Sequence, residues 1–330
     1  MSGGARPPVL IDARAAARPE LGGVERWARE LAARLPALHP GRYAVARPPA
    51  ALSHRTGHAW EQLVLPARRA QLLLCPANLA PVASRRTVVV IHDVAPLREP
   101  RWYSGLYVRW QRTVLPRIAR HARSVIVPSA FSRDEVRELL GVDAHVVPGG
   151  VDPRFRPGLP PVLGLTRPYV LTVASRTARK NLAVLELTAH RLAARGYELV
   201  TAGGDRPQFR AQADARGVRA LGHVDDASLP GLYANAAAFV LPSLYEGFGL
   251  TALEALACGT PTVVADRGAL PEVCGDAALL VDPTDPEAVA AAVERALDFP
   301  AFAQAGPARA APFTWDATAA GVDRVVAEAL

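Results

Sequence analysis

Apolar runs of strand length alternate with stretches of helical periodicity along the whole chain. PPVLIDA is followed by VERWARELAARL, RTVVVIHD by a long amphipathic stretch reaching about residue 123, and SVIVPS by SRDEVRELLG, before the short run HVVPGG. The pattern resumes with YVLTVAS and NLAVLELTAHRLAARG, then YELVTAGG, then ASLPGLYANA and AFVLPS, TALEALACG and TPTVVAD, and finally ALLVD and DPEAVAAAVERALDF. Such alternation predicts an α/β protein whose parallel sheets are wound with helices on both faces. No fixed short period repeats, which argues against a solenoid.

Between the two series lies VDPRFRPGLPPVLGLTRP (151 to 168), where five prolines break every periodic pattern, as a linker would. At 330 residues the chain also exceeds what one core usually organises. Two domains are expected, residues 1–157 and 158–312, with a cleft at the carboxyl ends of both sheets, where open α/β folds bind ligands.

Composition adds that the chain folds: half the residues are hydrophobic and 21% are charged. The first twenty residues lack the apolar core of a signal peptide, and no stretch approaches the ~18 apolar residues of a membrane span. A cytoplasmic location is expected. Cys75, Cys258 and Cys274 are too few for a disulfide framework and lack metal-ligand spacing, so they read as buried thiols.

Charge is unevenly spread. Residues 1–157 have 24 Arg against 12 Asp and Glu, a net +12, whereas residues 158–330 have 13 Arg and one Lys against 19 acids, a net −5. A basic first half suits an anionic partner; arginines on a solvated surface are the alternative.

The one lysine in a chain of 37 arginines is Lys180, in SRTARKN. Arg176 follows the strand YVLTVAS, and Lys180 and Asn181 are predicted to open the next helix. Two cations four residues apart, with free helix amides beside them, could hold one diphosphate. A lone surface lysine is the competing reading. A second constellation lies in 238–273: Glu246 in a glycine-bearing turn after a strand, then Gly249, Leu250 and Thr251 at a helix start, then Glu254 one turn inside. The amides of 249–251 form another anion site, and Glu254 is placed to take two ribose hydroxyls. A first-turn glutamate on an ordinary helix would explain Glu254 alone.

In EGFGLTALE the chain resembles the E-x7-E pattern of retaining glycosyltransferases of the GT-B fold, specifically group 1, also called family 4. RTARKN resembles that family's R-x3-K-N diphosphate motif, and GHVDDASLPGLYANAAAFVLPS the segment leading to the E-x7-E. GGVERW, WEQLVLP, IHDV, VPSAFS and VVPGGVD agree less sharply. One departure is Gly149, where the family usually has asparagine before Gly-Val-Asp.

The resemblance implies two Rossmann-like domains facing a central cleft, with residues 313–330 crossing back as a helix onto the first. It implies that Arg176 and Lys180 neutralise the donor diphosphate and stabilise it as leaving group, work that a metal does elsewhere. The absence of any DxD fits metal independence, with no cofactor besides the nucleotide-sugar donor. Glu254 would hold the ribose and Glu246 the sugar hydroxyls. Gly22 and Gly23 would bring backbone near the phosphates, and His92 would contact the sugar near the reacting carbon. A satisfied histidine at a strand end is the alternative for His92, and Asp93 reads better as a cap for the next turn.

The implied reaction is retaining transfer of a hexose, with GDP-mannose favoured, to a glycan or lipid-linked acceptor held by the first domain. The basic half favours an anionic acceptor at the inner membrane face; a neutral soluble acceptor is the alternative. Tyr103, Leu106, Tyr107, Trp110, Val114 and Ile118 recur at helical spacing among arginines, as in a helix lying on an anionic membrane, although the soluble-core reading is preferred. Nucleic acid is not expected as a partner, because no motif lines arginines and aromatics along a strand-binding groove. A sugar-nucleotide epimerase on the same fold and a non-catalytic nucleotide-sugar-binding protein are the rivals. A nicotinamide dehydrogenase is weaker, since neither GGVERW nor AGGD supplies G-x-G-x-x-G.

Overall fold

The computed structural model describes residues 8–18, 22–49, 57–204, 215–299 and 302–330. Among the described residues twelve strands form two sheets. The first contains β1 (Val9–Asp12), β2 (Tyr43–Ala46), β3 (Leu72–Cys75), β4 (Thr87–Val90), β5 (Ser124–Val127) and β6 (His145–Val146), in the order β2-β1-β3-β4-β5-β6. The second contains β7 (Tyr169–Val173), β8 (Glu198–Ala202), β9 (Val218–Gly222), β10 (Ala238–Leu241), β11 (Thr262–Ala265) and β12 (Leu279–Val281), in the order β12-β11-β10-β7-β8-β9. Every pairing is parallel. Every residue of the inner strands β3, β4, β10 and β11 is buried, which is why they read as unbroken apolar runs rather than alternating ones.

The chain divides into two compact units. One consists of Met1–Arg98, Val108–Gly150 and Trp315–Leu330, the other of Glu99–Tyr107 and Val151–Thr314. The division therefore falls after Gly150, not at Pro157. The proline-rich stretch is no free linker, because it is built onto the second unit. Val151 N–H donates to Phe313 O at 2.8 Å, Phe155 packs edge-on against Tyr233, and Leu159 O accepts from Asn235 Nδ2 at 3.0 Å.

The helix Gly105–His121 belongs to the first unit from Val108 onward, where it places Leu115, Ile118 and Ala119 in a core with Leu73, Val89, Ile91, Val125 and Val127. The core reading of this stretch is thus the correct one, but the buried face is rotated from the expected stripe. The helix starts only at Gly105, so Tyr103 is not in register with it, and its buried positions are Val108, Gln111, Leu115, Ile118 and Ala119. Leu106 is 72% exposed. Arg109, Arg112, Arg117 and Arg120 occupy the solvent face.

The last helix, Trp315–Ala329, completes the first unit. Asp323 accepts from Tyr43 Oη at 2.6 Å and Arg42 Nη1 at 2.8 Å, with His39 Nε2 3.0 Å from its other oxygen. Trp315 meets Trp27 edge-on at 5.8 Å, and Thr318 Oγ1 donates to Pro148 O at 2.8 Å. In the second unit Val170, Leu199, Val240 and Val263 form the core with Leu185, Leu192, Val289 and Val293 from the flanking helices. Cys75, Cys258 and Cys274 are free and buried, and burial pushes the latter two thiols up to about 12, as suits thiols without chemistry.

Candidate functional site

The second unit brings most of the expected residues to the carboxyl ends of β7 and β10. β7 ends at Val173, and Arg176 stands half-buried in the bend that follows. The helix expected to open at Lys180 does not begin there. Ala178–Lys180 is one tight 3-10 turn, and Asn181 adopts a left-handed conformation (φ 54°) with its Nδ2 donating to Pro283 O at 2.7 Å. A second short turn, Leu182–Val184, follows, and the α-helix proper runs Leu185–Ala194. Lys180 is therefore presented by a 3-10 turn ahead of the helix rather than by the helix start.

That turn buries Lys180 to 8% exposure and aims it at Glu246, with Nζ 2.5 Å from Oε1. Arg179, which the sequence reading passed over, holds the same carboxylate from the other side, its Nη1 3.3 Å from Oε2 and 2.9 Å from Tyr245 O. The adjoining loops are tied as well, Leu244 N–H donating to Arg179 O at 2.9 Å. Burial alone would raise the Glu246 pKa, but the charges of Lys180 and Arg179 outweigh it and hold the carboxyl at about 2. At neutral pH Glu246 is an acceptor only. The cluster of two cations and one carboxylate keeps a net positive charge in a buried place, where an anion is most strongly attracted.

The loop that presents Glu246 is fixed from below. Ala269 N–H donates to Glu246 O at 3.0 Å, and Gly268 (φ +63°) lies so close that a Cβ there would sit 2.7 Å from that oxygen and 2.8 Å from Glu246 N. The following helix, Leu250–Ala257, starts after Gly249, whose φ of +96° is left-handed and whose missing Cβ leaves room for Leu270. Intrahelical bonding begins with Ala252 N–H to Gly249 O, so the amides of Leu250 and Thr251 precede it at the helix start. Glu254 is 3% exposed and accepts from Tyr233 Oη at 3.0 Å.

The first unit places the remaining expected residues. Gly22 precedes the helix Gly23–Leu38 in an extended conformation (φ −99°, ψ −179°) open to any residue, and its N–H donates to Glu25 Oε2 at 3.1 Å. His92 follows β4. Its Nε2 lies 2.8 Å from Pro76 O, a group that can only accept, so Nε2 carries the proton and Nδ1 is the acceptor. Burial pushes the imidazole pKa down, against the raising influence of Pro76 O, Asp93 and Glu25, so the ring is neutral. Asp93 caps the next turn by accepting from Ala95 N–H at 3.1 Å.

A buried polar cluster at the end of β1 escaped the residue-level reading, although IDAR and WEQLVLP contain its members. Arg14 Nε donates to Glu61 Oε2 at 2.7 Å, and Arg14 N–H to Asp12 Oδ1 at 2.9 Å. Burial, with Arg14 opposing it and Asp12 adding to it, raises the Glu61 carboxyl to about 7. Among the described residues no group of three or more His, Cys, Asp or Glu could hold a metal ion, and no helix is long and apolar enough to cross a membrane.

Two family models match the chain: glycosyl transferases group 1 over residues 167–298, and glycosyltransferase family 4 over residues 69–155. The chain is 32% identical to the O-antigen chain mannosyltransferase B of Escherichia coli over 267 residues, which is 73% of this chain and 70% of that protein. It is 32% identical over 252 residues to the MMP alpha-(1->4)-mannosyltransferase of Mycolicibacterium hassiacum, 70% of this chain and 58% of that one. Among solved structures, the sucrose-phosphate synthase of Thermosynechococcus elongatus superimposes with a TM-score of 0.75 over 98% of this chain and 99% of its own, at 21% identity, a likeness of fold.

Proposed function

Since the chain belongs to the group 1 (family 4) glycosyltransferases and has their GT-B fold, we propose that it moves a hexose from a nucleoside-diphosphate sugar, GDP-mannose in preference, to a glycan or lipid-linked acceptor. The observation that carries this reading is the buried contact of Lys180 and Arg179 with Glu246. Lys180 and Arg176 take the donor diphosphate and stabilise it as it departs, with Arg179 adding its charge. Glu246 accepts hydrogen bonds from the donor sugar's hydroxyls. The amides of Leu250 and Thr251, reached through Gly249, face the phosphates, and Glu254 takes the ribose.

Retention of configuration follows from the family, and the electrostatics of Glu246 support a front-face course. A carboxylate clamped between two cations is a poor nucleophile, so a covalent sugar on Glu246 is disfavoured, and the departing diphosphate takes the acceptor's proton. The charge it develops is met by side-chain cations, so neither a divalent metal nor a separate cofactor is required. Mannose is favoured because both relatives described above are named mannosyltransferases. Nothing in the site favours an epimerase, which would need no acceptor.

The deciding experiment is turnover of GDP-mannose with a mannose-terminated oligosaccharide in the presence of EDTA, followed by NMR. An α-linked mannosyl product at an EDTA-insensitive rate is expected. A β-linked product would overturn retention, loss of rate in EDTA would overturn metal independence, and turnover of UDP-glucose alone would overturn the donor.

For the acceptor we propose an anionic, lipid-diphosphate-linked glycan, met by peripheral association with the membrane. The support is the net +12 of residues 1–157 and the row of exposed arginines on the helix Gly105–His121. Wild type is expected to sediment with anionic but not neutral vesicles at low salt and to be released at high salt. Neutralising Arg109, Arg112 and Arg120 should weaken this binding several-fold; an unchanged variant would leave a neutral soluble acceptor as the reading.

A further inference from the structure

We propose that Tyr233 is a positioning residue for nucleotide recognition, fixing the Glu254 carboxylate in the orientation that reads the ribose. The inference rests on the ribose role given to Glu254 above. Tyr233 is completely buried, so it cannot itself touch a nucleotide. Its hydroxyl donates to Glu254 Oε2 at 3.0 Å. A carboxylate has about four acceptor positions on two oxygens, so one bond from a hydroxyl can set its plane without filling them, by restricting rotation about the last side-chain torsion. Glutamate has three such torsions, and a ribose diol is read well only when the plane of the carboxylate is set in advance.

Tyr233 is itself held on every side that matters. Its ring meets Phe155 edge-on at 5.8 Å and Phe239 at a tilt at 5.5 Å, contacts of the kind that fix ring orientation. Its carbonyl accepts from Thr260 Oγ1 at 2.8 Å, which ties the end of the helix Leu229–Ala234 to the loop before β11. The hydroxyl has thus one place to be. A tyrosine needed only to fill the core could be a phenylalanine; a buried hydroxyl facing a buried carboxylate five residues after a left-handed helix cap is a directional device.

The test is calorimetric titration of wild type and Tyr233→Phe with GDP and UDP and with the 2′,3′-dideoxy forms of both, alongside inorganic pyrophosphate. Wild type is expected to prefer the ribose form of its nucleotide about tenfold or more. Tyr233→Phe should shrink that preference to threefold or less by weakening the ribose form alone, with the dideoxy form and pyrophosphate unchanged. An undiminished preference, or equal weakening of all three ligands, would overturn the inference and make Tyr233 ordinary core. A wild type that does not distinguish ribose from dideoxyribose would instead overturn the ribose role of Glu254, and the inference with it.

Discussion

Lys180→Ala is expected to lower kcat/KM by about 30- to 1,000-fold, equivalent to roughly 2 to 4 kcal/mol of transition-state stabilisation. The ammonium is buried and already desolvated against Glu246, so a diphosphate meets a charge that needs no rearrangement of water. The chain writes arginine at 37 of its 38 basic positions, so Lys180→Arg is the sharper comparison. A guanidinium is a planar fork rather than a compact ammonium and cannot reproduce the short contact that buried Lys180 makes with Glu246, so Arg is expected to recover less than tenfold of the loss. Steady-state kinetics on folded variants decide this, and normal turnover by the arginine variant would make the lone lysine incidental. Stability changes in a defined pH window. The Glu246 carboxyl is held at about 2 against an ordinary 4.5, so its contribution is complete above 4.5 and is lost as the pH falls from there through 2. The loss between pH 4.5 and 2 should be shallower in Lys180→Ala than in wild type.

Gly268→Ala should come next in size, with kcat/KM down about 10²-fold although the residue carries no functional group. The added Cβ would meet Glu246 backbone on two sides, at 2.7 and 2.8 Å, with no flexible side chain to give way. Overpacking of this kind costs about 1 to 3 kcal/mol, and a left-handed alanine about 1 more. The strain is relieved by displacing the loop that aims Glu246 at Lys180. Gly196→Ala separates the two causes, because Gly196 is also left-handed (φ +81°) but has open space around its Cβ position. That variant should lose stability yet keep wild-type kcat/KM, and a matching loss of activity in both would remove the special role of Gly268.

Much of the architecture was legible because both sheets are parallel and covered on both faces, so that LLLC, TVVV, AFVL and TVVA stand out as unbroken apolar runs. The nearness of Lys180 to Glu246 is another matter. They are 66 residues apart, and only the family motifs, not periodicity, suggested that they meet. Arg179 was hidden by its neighbour: in ARKN either cation could face the cleft, and the 3-10 turn, which turns both toward Glu246, has no periodic signature. The helix start was misplaced because NLAVLEL has the apolar spacing of a helix, while the left-handed Asn181 interrupts it with a hydrogen bond to Pro283 that sequence cannot show. Tyr233 in LPGLYANA looked like one more apolar position, and its hydroxyl gains meaning only once Glu254 is opposite it. Arg14 and Glu61 lie on two separated segments whose meeting depends on how the ends of β1 and the WEQLVLP segment pack.

The last helix alters the order in which the protein can be made. A ribosome emits β1 to β6 before β7 to β12, but the helix Trp315–Ala329 that covers Trp27 and Val147 and ties Asp323 to Tyr43, 280 residues away, emerges after both sets. At ordinary elongation rates the intervening Val151–Thr314 takes on the order of ten seconds or more to synthesise. For that interval the first-made unit waits with an apolar flank bare, while the second, whose sheet is contributed by one continuous stretch, has all its strands in hand. The usual N-terminal-first sequence is thereby inverted: of the two units, the one begun earlier is the later to close.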